Sequence, residues 1–344
     1  MRNYKCLSRQ IFENEAYQLV PLRDEDKYLI RQWRNEQIYH LRQSKPLTLE
    51  AQEAYFSTVV SSLFEQNQPS QLLFSLLKDG QLVAYGGLVH ISWVDKYAEI
   101  SFLMNTSLEK DYFEEFWLNY LQLIEKVGFT EVNFHKLFTY AFDVRPHLYP
   151  VLQKAGFQLE ARLKEHCFFD GRFVDVLIHS KLNRTITFRK ATATDVDLYF
   201  EWANDDVTRQ NSFNSEPIPY DKHVDWFLKK IQAPNSLMLV FENHLKQPVG
   251  QVRIDKNDDE SVIGISIANY FRGNGFATSM IEQSIQAFFK TFETEISIIA
   301  YIKLANLASK KAFERAGFHE LENTADYYKL QWFSHKKCKS ERKL

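Results

Sequence analysis

The C-terminal half of the chain alternates between short apolar runs and longer segments in which apolar residues recur every three or four positions. The short runs are rich in β-branched and aromatic residues, which favour strands, and the longer segments have the period of amphipathic helices. We predict strands at TITFRK, SLMLVFEN, PVGQVRID, SVIGISIAN, ISIIAYI and DYYKLQWF. We predict helices at residues 195–204, 221–231, 275–292 and 306–316, the last ended by Gly317 in a left-handed conformation.

The N-terminal half repeats this plan: a short strand, two amphipathic helices, three strands, a long helix, a strand, a helix and closing strands. Three short segments match between the halves at offsets of 169, 171 and 161 positions, and loop insertions produce drifts of this size. The matched pairs are Trp33 with Trp202, Phe56 with Phe227, and Phe157 with Phe318. The sequence therefore predicts two copies of one plan.

The length of 344 residues exceeds what one hydrophobic core usually supports, which agrees with two domains. The short segment KLNRT separates the halves, so we expect domains at residues 1–182 and 183–334, followed by a basic tail at residues 335–344. Each domain is predicted to be α/β, with helices flanking a mixed, largely antiparallel central sheet. The tail is interpreted as a solvated terminus rather than a contact for nucleic acid or membrane.

Composition excludes several classes of protein. A net charge of -2 gives no general attraction to polyanions, so we expect no nucleic-acid partner. Cys6, Cys167 and Cys338 are widely spaced, which argues against a disulfide framework and a zinc site, and we predict no metal. No apolar run approaches the roughly 20 residues that cross a bilayer. We expect a soluble, cytoplasmic protein without membrane contact.

The strongest chemical motif is ISIANYFRGNGFATSMI, where a predicted strand ends, residues 272–277 turn, and a helix begins. Gly273 and Gly275 let the backbone approach a ligand, and the free N–H groups and dipole of the helix favour a diphosphate there. The alternative is a Rossmann loop, which needs a βαβ unit with an acidic residue about 20 residues later. Here the helix leads instead to AYIKLANLASKKAFERAGF.

These two segments resemble motifs A and B of the GNAT acetyltransferases. The first is similar to the family's Arg/Gln-x-x-Gly-x-Gly/Ala pyrophosphate loop, and the second to its Asn-x-x-Ala/Ser-x-x-x-aromatic-x-x-x-Gly-Phe helix. The resemblance implies two tandem GNAT-like domains, with acetyl-CoA bound in the second. The residues it implies for acetyl-CoA are Ile267, Arg272, Gly273, Asn274, Gly275, Phe276, Ala277, Thr278, Asn306, Ser309 and Phe313. Asn306 also fits a helix N-cap, and Phe313 also fits a core position.

Many family members have a tyrosine where this chain has Phe313, and that tyrosine protonates the departing thiolate. The acid must here be another residue or water, and Tyr327 and Tyr328 on the closing strand are candidates. Attack by an amine also needs a base. Glu260 and His223 are candidates for the base, although each also fits an ordinary surface position.

The segment EWANDDVTRQNSFNSEPIPYDKHVDWF resembles acetyltransferases that modify amino groups on nucleotide-linked deoxysugars in pseudaminic-acid-type pathways. The side chains in it that suit sugar hydroxyls or a uracil ring are those of Arg209, Asn211, Ser212, Asn214 and Glu216. The alternative is a polar loop between helices.

In the first half the glycine turn is replaced by MNTSLEKD, which has acidic residues where phosphates would lie. Arg145-Pro146 stands where Asn306 would align, so we interpret this domain as a degenerate copy that supports the second. Its ending, RLKEHCFFDGRFVDVLIHS, resembles the last hairpin of the ribosomal-protein-acetylating GNAT branch.

Two segments of the first half leave open the alternative that this domain has a ligand site of its own. One is YGGLVHISW, with Gly86, Gly87 and His90. The other is WRNEQIYHLRQS, with Arg34, Arg42 and Gln43, whose charged side chains are usually solvated at such positions.

The leading interpretation is transfer of acetyl from acetyl-CoA to a primary amine of a small metabolite, with a nucleotide-linked amino sugar as the favoured acceptor. One alternative is acetylation of a protein N-terminus or lysine. Another is a non-catalytic acyl-CoA-binding scaffold. The sequence gives no expectation of oligomeric state.

Overall fold

The computed structural model describes residues 2–41, 43–258, 260–293 and 297–333. The predicted basic tail, with Cys338, lies outside these residues, as do Arg42 and the first residue of the predicted strand ISIIAYI. The chain divides into two compact units, Met1–Asn183 and Arg184–Leu344, called here the first and second unit.

The first unit is a sheet flanked by helices. Its strands are β1 Phe12–Asn14, β2 Tyr17–Pro21, β3 Leu72–Lys78, β4 Gln81–Ser92, β5 Tyr97–Met104, β6 Lys136–Phe142, β7 Gln158–Phe169 and β8 Arg172–Leu182. Its α-helices are α1 Lys27–Glu36, α2 Leu49–Ala54, α3 Ser61–Glu65, α4 Glu109–Glu125 and α5 Leu148–Lys154. The strand order is β1-β2-β3-β4-β5-β6-β8-β7.

The second unit has the same architecture. Its strands are β9 Ile186–Lys190, β10 Ser236–Asn243, β11 Pro248–Lys256, β12 Ser261–Ile267, β13 Ile298–Lys303, β14 His319–Asn323 and β15 Tyr327–Trp332. Its helices are α6 Val196–Asn204, α7 Asp206–Asn211, α8 Tyr220–Gln232, α9 Phe276–Phe292 and α10 Leu307–Arg315. The predicted elements of this half are confirmed to within two residues, and the structure adds α7 and β14. The sheet order is β14-β15-β13-β12-β11-β10-β9.

Both sheets are built on one topology. From β2 to β8 the first unit follows the strand order that the second unit follows from β9 to β15. Neighbouring strands are antiparallel except for one pair in each described sheet, β5 with β6 and β12 with β13. The fold class predicted from the sequence is confirmed: each unit is a mixed, largely antiparallel α/β sheet.

The sheet of the second unit buries apolar residues on both faces because side chains alternate along each strand. On β10, Leu237, Leu239 and Phe241 pack against the side that carries α9 and α10, while Met238 and Val240 pack against α6 and α8. The helix α9 contributes a buried stripe at helical spacing, made of Phe276, Met280, Ile281, Ser284, Ile285 and Phe288. This packing fixes both faces of β12 and β13.

Asn35 and Asn204 show that the repeat extends to local hydrogen bonding. Asn35 accepts from the N–H of Leu47 at 2.7 Å and donates to the carbonyl of the same residue at 3.0 Å. Asn204 does the same with Ile218, at 2.8 and 3.1 Å. Each asparagine thereby closes the segment between the first helix of its unit and the helix α2 or α8.

In the part of the chain that is described, no helix combines the length and apolar character that crossing a membrane requires.

We expect Asn204→Ala to lower the free energy of unfolding of the second unit by about 2 kcal/mol, because it leaves two partly buried backbone groups of Ile218 unpaired. Urea unfolding followed by circular dichroism measures this. Asn235→Ala is the matched control, since it removes one exposed hydrogen bond to Lys256 and should cost no more than about 0.5 kcal/mol. Equal stability of the two variants would contradict the role of Asn204.

Candidate functional site

The central strands of the second unit separate after a short parallel ladder. In the described chain β12 and β13 pair only at Ser261 with Ile298 and at Val262 with Ile299. Beyond this point each strand continues to pair with its other neighbour, β11 or β15. The backbone groups that β12 and β13 turn toward each other there have no ladder partner. A gap therefore opens toward their carboxyl ends, where α9 and α10 begin.

The glycine turn stands at the open end of this gap. Gly273 and Gly275 adopt φ values of 75° and 79°, which other residues rarely adopt, and Gly275 immediately precedes α9. A Cβ atom on either glycine would meet no atom within 4 Å, so the turn faces open space. The first N–H groups of α9 have no partner within the helix. Their arrangement fits a diphosphate.

The side chain of Arg272 is held by residues of its own unit. It forms an ion pair with Asp205 and donates from Nε to the carbonyl of Ile267 at 3.0 Å. It also donates to the hydroxyl of Thr208 at 3.2 Å. Arg272 therefore ties the turn to the start of α7, and the hydrogen bond from Arg272 is also the main reason that the pKa of Asp205 is lowered.

Two predicted acetyl-CoA residues have buried side chains. Phe276 is 4% exposed, and Phe313 is 2% exposed and lies against Phe318 at 4.9 Å between ring centroids. The side chains of both residues therefore pack in the core: Phe276 can offer a ligand only its backbone, and Phe313 matches the core alternative. Burial of an apolar ring is the physical reason.

Of the remaining predicted acetyl-CoA residues, Ile267 ends β12 and the others lie around the N-termini of α9 and α10. Asn306 caps α10, because its side-chain oxygen accepts from the N–H of Ser309 at 3.2 Å. Asn274 is half-buried in the turn, and Ala277 and Thr278 are half-buried in the first turn of α9. The structure thus brings the two predicted motifs to the same end of the gap.

Aromatic side chains form a wall on the face opposite α9 and α10. Tyr327 on β15 contacts Tyr301 on β13 at 5.4 Å between ring centroids. Phe213, from the loop after α7, contacts Tyr327 at 5.9 Å and is 59% exposed. Lys303 connects β13 to α7, because its ammonium donates to the carbonyl of Gln210 at 2.9 Å.

The predicted acceptor residues mostly fold their own loop. Arg209 donates to the carbonyls of Asn214 and Glu216 and to the hydroxyl of Ser212. Asn211 donates to the carbonyl of Val207 at 2.8 Å. Asn214 accepts from the N–H of Glu216 at 2.9 Å. Their hydrogen bonds match the polar-loop alternative, and the loop reaches the gap through Phe213 and Gln210.

Glu260 precedes β12 and is fully engaged. One carboxylate oxygen accepts from the hydroxyl of Tyr301 at 2.8 Å, and the other accepts from Lys329 at 2.9 Å. Lys329, and then Tyr301, hold the pKa of Glu260 below its usual range. The geometry therefore favours an orienting role for Glu260 over that of a base, because an occupied carboxylate of low pKa accepts protons poorly.

His223 is a core residue. It is 2% exposed, its ring stacks on Phe227, and its Nε2 lies 3.1 Å from the carbonyl of Val196. Burial lowers its pKa, so the ring is neutral near pH 7. The prediction that His223 is the base is therefore wrong, because a buried ring cannot contact the amine substrate. His223 packs in the core instead.

Gly264 in the middle of β12 is a feature that sequence reasoning missed. A Cβ there would meet no atom within 4 Å, and its φ does not require glycine. Glycine inside a strand weakens the strand and often marks close approach of a ligand. Tyr301, Lys303 and Phe213 were also missed, although a lone aromatic residue in the polar loop 209–216 was a signal for Phe213.

In the first unit an ion pair occupies the position that corresponds to the glycine turn. Glu109 begins α4, and Arg145, from the loop after β6, donates to its carboxylate at 2.8 Å. His147 lies 3.7 Å from the same oxygen. A carboxylate thus stands at the helix N-terminus where a diphosphate would bind. The first unit does not fit coenzyme A there.

The glycines and cations predicted as a distinct site in the first unit have local roles. A Cβ on Gly86 would overlap the carbonyl of Ser101, and one on Gly87 would overlap that of Leu72, so close strand packing requires both. Arg34 donates to Tyr85 at 2.9 Å and to Gln43 at 3.1 Å. His90, with φ of 47°, lies 2.8 Å from Glu99 and remains at the surface.

Comparison with known families identifies both units. A family model described as an acetyltransferase (GNAT) domain matches residues 185–319, and a second model with the same description matches residues 19–178. The chain belongs to the GNAT acetyltransferases and contains two GNAT domains in tandem. Acetyltransferases of this family take their acetyl group from acetyl-CoA.

Individual relatives are distant. An uncharacterized protein of Methanocaldococcus jannaschii is 26% identical over 88 residues, which are 25% of this chain and 18% of that protein, so the chain matches less than a fifth of its length. Spermidine N-acetyltransferase from Vibrio cholerae, solved in complex with CoA and spermine, is 18% identical with a TM-score of 0.43. That match covers 49% of this chain and 96% of the enzyme. A domain from M. jannaschii is 21% identical with a TM-score of 0.39, covering 44% and 99%.

We expect Gly275→Asp to weaken acetyl-CoA binding at least about tenfold, because it places a carboxylate beside the diphosphate position. Isothermal titration calorimetry measures the affinity. Gly80→Asp is the matched control, since Gly80 has the same φ of 79° and the same open surroundings in a hairpin of the first unit. If both variants bound acetyl-CoA equally, the glycine turn would not be the binding site.

Proposed function

We propose that the second unit transfers the acetyl group of acetyl-CoA to a primary amine of a nucleotide-linked amino sugar, in the cytoplasm. The observation that carries this proposal is the pair of cations, Arg209 and Lys303, whose charge is uncompensated on the acceptor side of the gap.

Two cations on the acceptor side lack a carboxylate partner. Among the described residues neither Arg209 nor Lys303 has a carboxylate partner, because both donate to backbone carbonyls or a hydroxyl. Burial lowers the pKa of Arg209, yet a guanidinium remains protonated. The neighbouring cations Arg272 and Lys329 are neutralised by Asp205 and Glu260. An acceptor with phosphates would supply the missing negative charge.

The aromatic wall supports a ring-shaped acceptor. Tyr327 lies opposite Lys303 in the sheet and meets Phe213 edge to face, and aromatic rings stack on nucleobases. Gly264 leaves room on the face of β12 that side chains would otherwise fill. A nucleotide-linked sugar combines a base, phosphates and a sugar amine in one molecule, which matches these three features.

The reaction needs two proton transfers. Acetyl-CoA supplies an acyl carbon to which the amine nitrogen bonds as the carbon–sulfur bond breaks; the nitrogen loses a proton and the sulfur gains one. Residues that bind the donor are those of the glycine turn and the N-terminus of α10. Tyr327 is the proposed acid, because it lies on the acceptor face beside Phe213. Tyr328 points the other way, with Lys310 3.9 Å from its ring centroid.

A polyamine is a less suitable acceptor by the same argument. Its several ammonium groups would meet Lys303 and Arg209, and like charges 4 Å apart repel by about 1 kcal/mol even in water. A protein N-terminus has no phosphate to pair with them. A polyamine and a peptide are therefore included as competing acceptors in the assay below.

We expect release of coenzyme A to be fastest with a nucleotide-linked amino sugar when the chain is assayed against that sugar, the free amino sugar, spermidine and a peptide. Lys303→Gln should raise the KM for the nucleotide-linked sugar about tenfold and leave the KM for the free sugar within about twofold, because only the former carries phosphates.

Lys246→Gln is the control for this experiment, since it removes one positive charge from the exposed turn between β10 and β11. It should change neither KM. Faster turnover of spermidine or the peptide than of the nucleotide-linked sugar would refute the proposed acceptor, while leaving the assignment of the acetyl donor intact.

We expect Tyr327→Phe to lower kcat about a hundredfold without changing acetyl-CoA affinity, because it removes a proton donor and keeps the ring contacts. Steady-state kinetics with titration of acetyl-CoA separates the two quantities. Tyr328→Phe, on the opposite face of β15, is the matched control and should retain kcat within about threefold. A Tyr327→Phe enzyme with normal kcat would exclude this residue as the acid.

A further inference from the structure

The first unit contains a cavity that the acetyl-transfer chemistry does not use. Its β5 and β6 pair in parallel only from Tyr97 with Lys136 to Glu99 with Phe138, and then diverge. A cavity of about 220 Å³ occupies the space between them. Its volume is below the range of about 300–1,000 Å³ typical of drug-sized ligands, so it suits a smaller molecule.

Five aromatic rings line one part of the cavity. Phe102, Phe113, Trp117, Tyr140 and Phe142 contribute to its walls. Phe102 packs on Trp117 at 4.5 Å between ring centroids, which fixes that wall. A lining of this kind binds an apolar body by burial.

Buried hydrogen-bonding groups of the lining have no partner among the described residues. The indole Nε1 of Trp117, which is 2% exposed, and the hydroxyl of Thr139, which is 4% exposed, are unpaired. The Nε of Arg145 is unpaired as well. An indole N–H and a guanidinium N–H can only donate, and leaving them unmet inside a protein is costly. These groups call for an acceptor oxygen on the ligand.

Acidic groups near the cavity are already paired. Glu99 lies 2.8 Å from Nδ1 of His90, and Glu109 accepts from Arg145. His40, beside Arg145 at 3.1 Å, has a pKa lowered to about 3, by burial first and by the charge of Arg145 second, and is therefore neutral. Glu99 of the described lining thus has a hydrogen-bond partner, and the buried groups that still lack one are the donors of Trp117, Thr139 and Arg145.

We propose that the first unit binds a small carboxylic acid with an apolar body, its carboxylate received by Trp117, Thr139 and Arg145. The site is separate from the acetyl-CoA site of the second unit. It does not take coenzyme A, because Glu109 and Arg145 occupy the place of the diphosphate. The degenerate GNAT domain thereby keeps the gap between its strands as a binding site for a different ligand.

The test uses three probes that share one phenyl body and differ in the polar group: phenylacetate, 2-phenylethylamine and 2-phenylethanol. Isothermal titration calorimetry on the full chain should show phenylacetate binding at one site, at least about tenfold more tightly than the other two. A saturating concentration of acetyl-CoA should leave that affinity unchanged within about twofold, and so should Gly275→Asp.

Trp117→Phe combined with Thr139→Val removes the two unpaired groups; the first change keeps an aromatic ring but enlarges the cavity, and the second is nearly isosteric. This variant should bind phenylacetate at least about tenfold more weakly. Thr139→Val alone, almost isosteric, should lose a smaller part of the affinity. Circular dichroism and thermal unfolding establish that both variants fold. Trp226→Phe in the second unit is the control and should bind like the parent.

Three results would overturn the proposal: no binding of phenylacetate, tighter binding of the amine, or unchanged affinity in a folded Trp117→Phe/Thr139→Val variant. None depends on turnover by the second unit, so failure of the proposed acetyl transfer would leave this test intact.

Discussion

The candidate site of the second unit depends on the interruption of one parallel β-ladder, the one between β12 and β13. Where β12 and β13 separate after two paired positions, their facing backbone groups lose their ladder partners, while each strand stays paired with its other neighbour. Unpaired backbone groups are costly when buried, so such a gap persists only where something else can pair with them. Packing of α9 on one face and of α6 and α8 on the other holds the strands in place while the gap stays open.

The two units keep this gap and differ in what surrounds it. In the second unit, glycines at positive φ leave the N-terminus of α9 bare, and Arg272 anchors the turn to α7. In the first unit, Glu109 and Arg145 close the equivalent position with an ion pair of which both members are largely buried. A single carboxylate at a helix N-terminus thus separates a unit that fits a diphosphate from one that does not.

Charge pairing distinguishes two groups of cations in the second unit. Arg272 and Lys329 are paired with carboxylates and orient the turn and the aromatic wall. Arg209 and Lys303 are held by carbonyls, which fix their positions without cancelling their charge. Fixed and uncompensated charges of this kind are what makes a surface selective between anionic and cationic acceptors.

The sequence by itself determined the elements, the duplication and the glycine turn, because these depend on local periodicity, on repeated segments such as those around Trp33 and Trp202, and on the φ values that only glycine readily adopts. It also indicated that the first unit had lost its diphosphate site, from the acidic residues around Glu109.

Only the tertiary structure decided which side chains are buried and which are exposed. His223 and Phe313 look equally available in the sequence, yet packing of distant segments buries both. Glu260 meets Lys329 and Tyr301 only because β12, β13 and β15 are neighbours in the sheet. Burial and pairing across the sheet are long-range properties, and no local pattern encodes them.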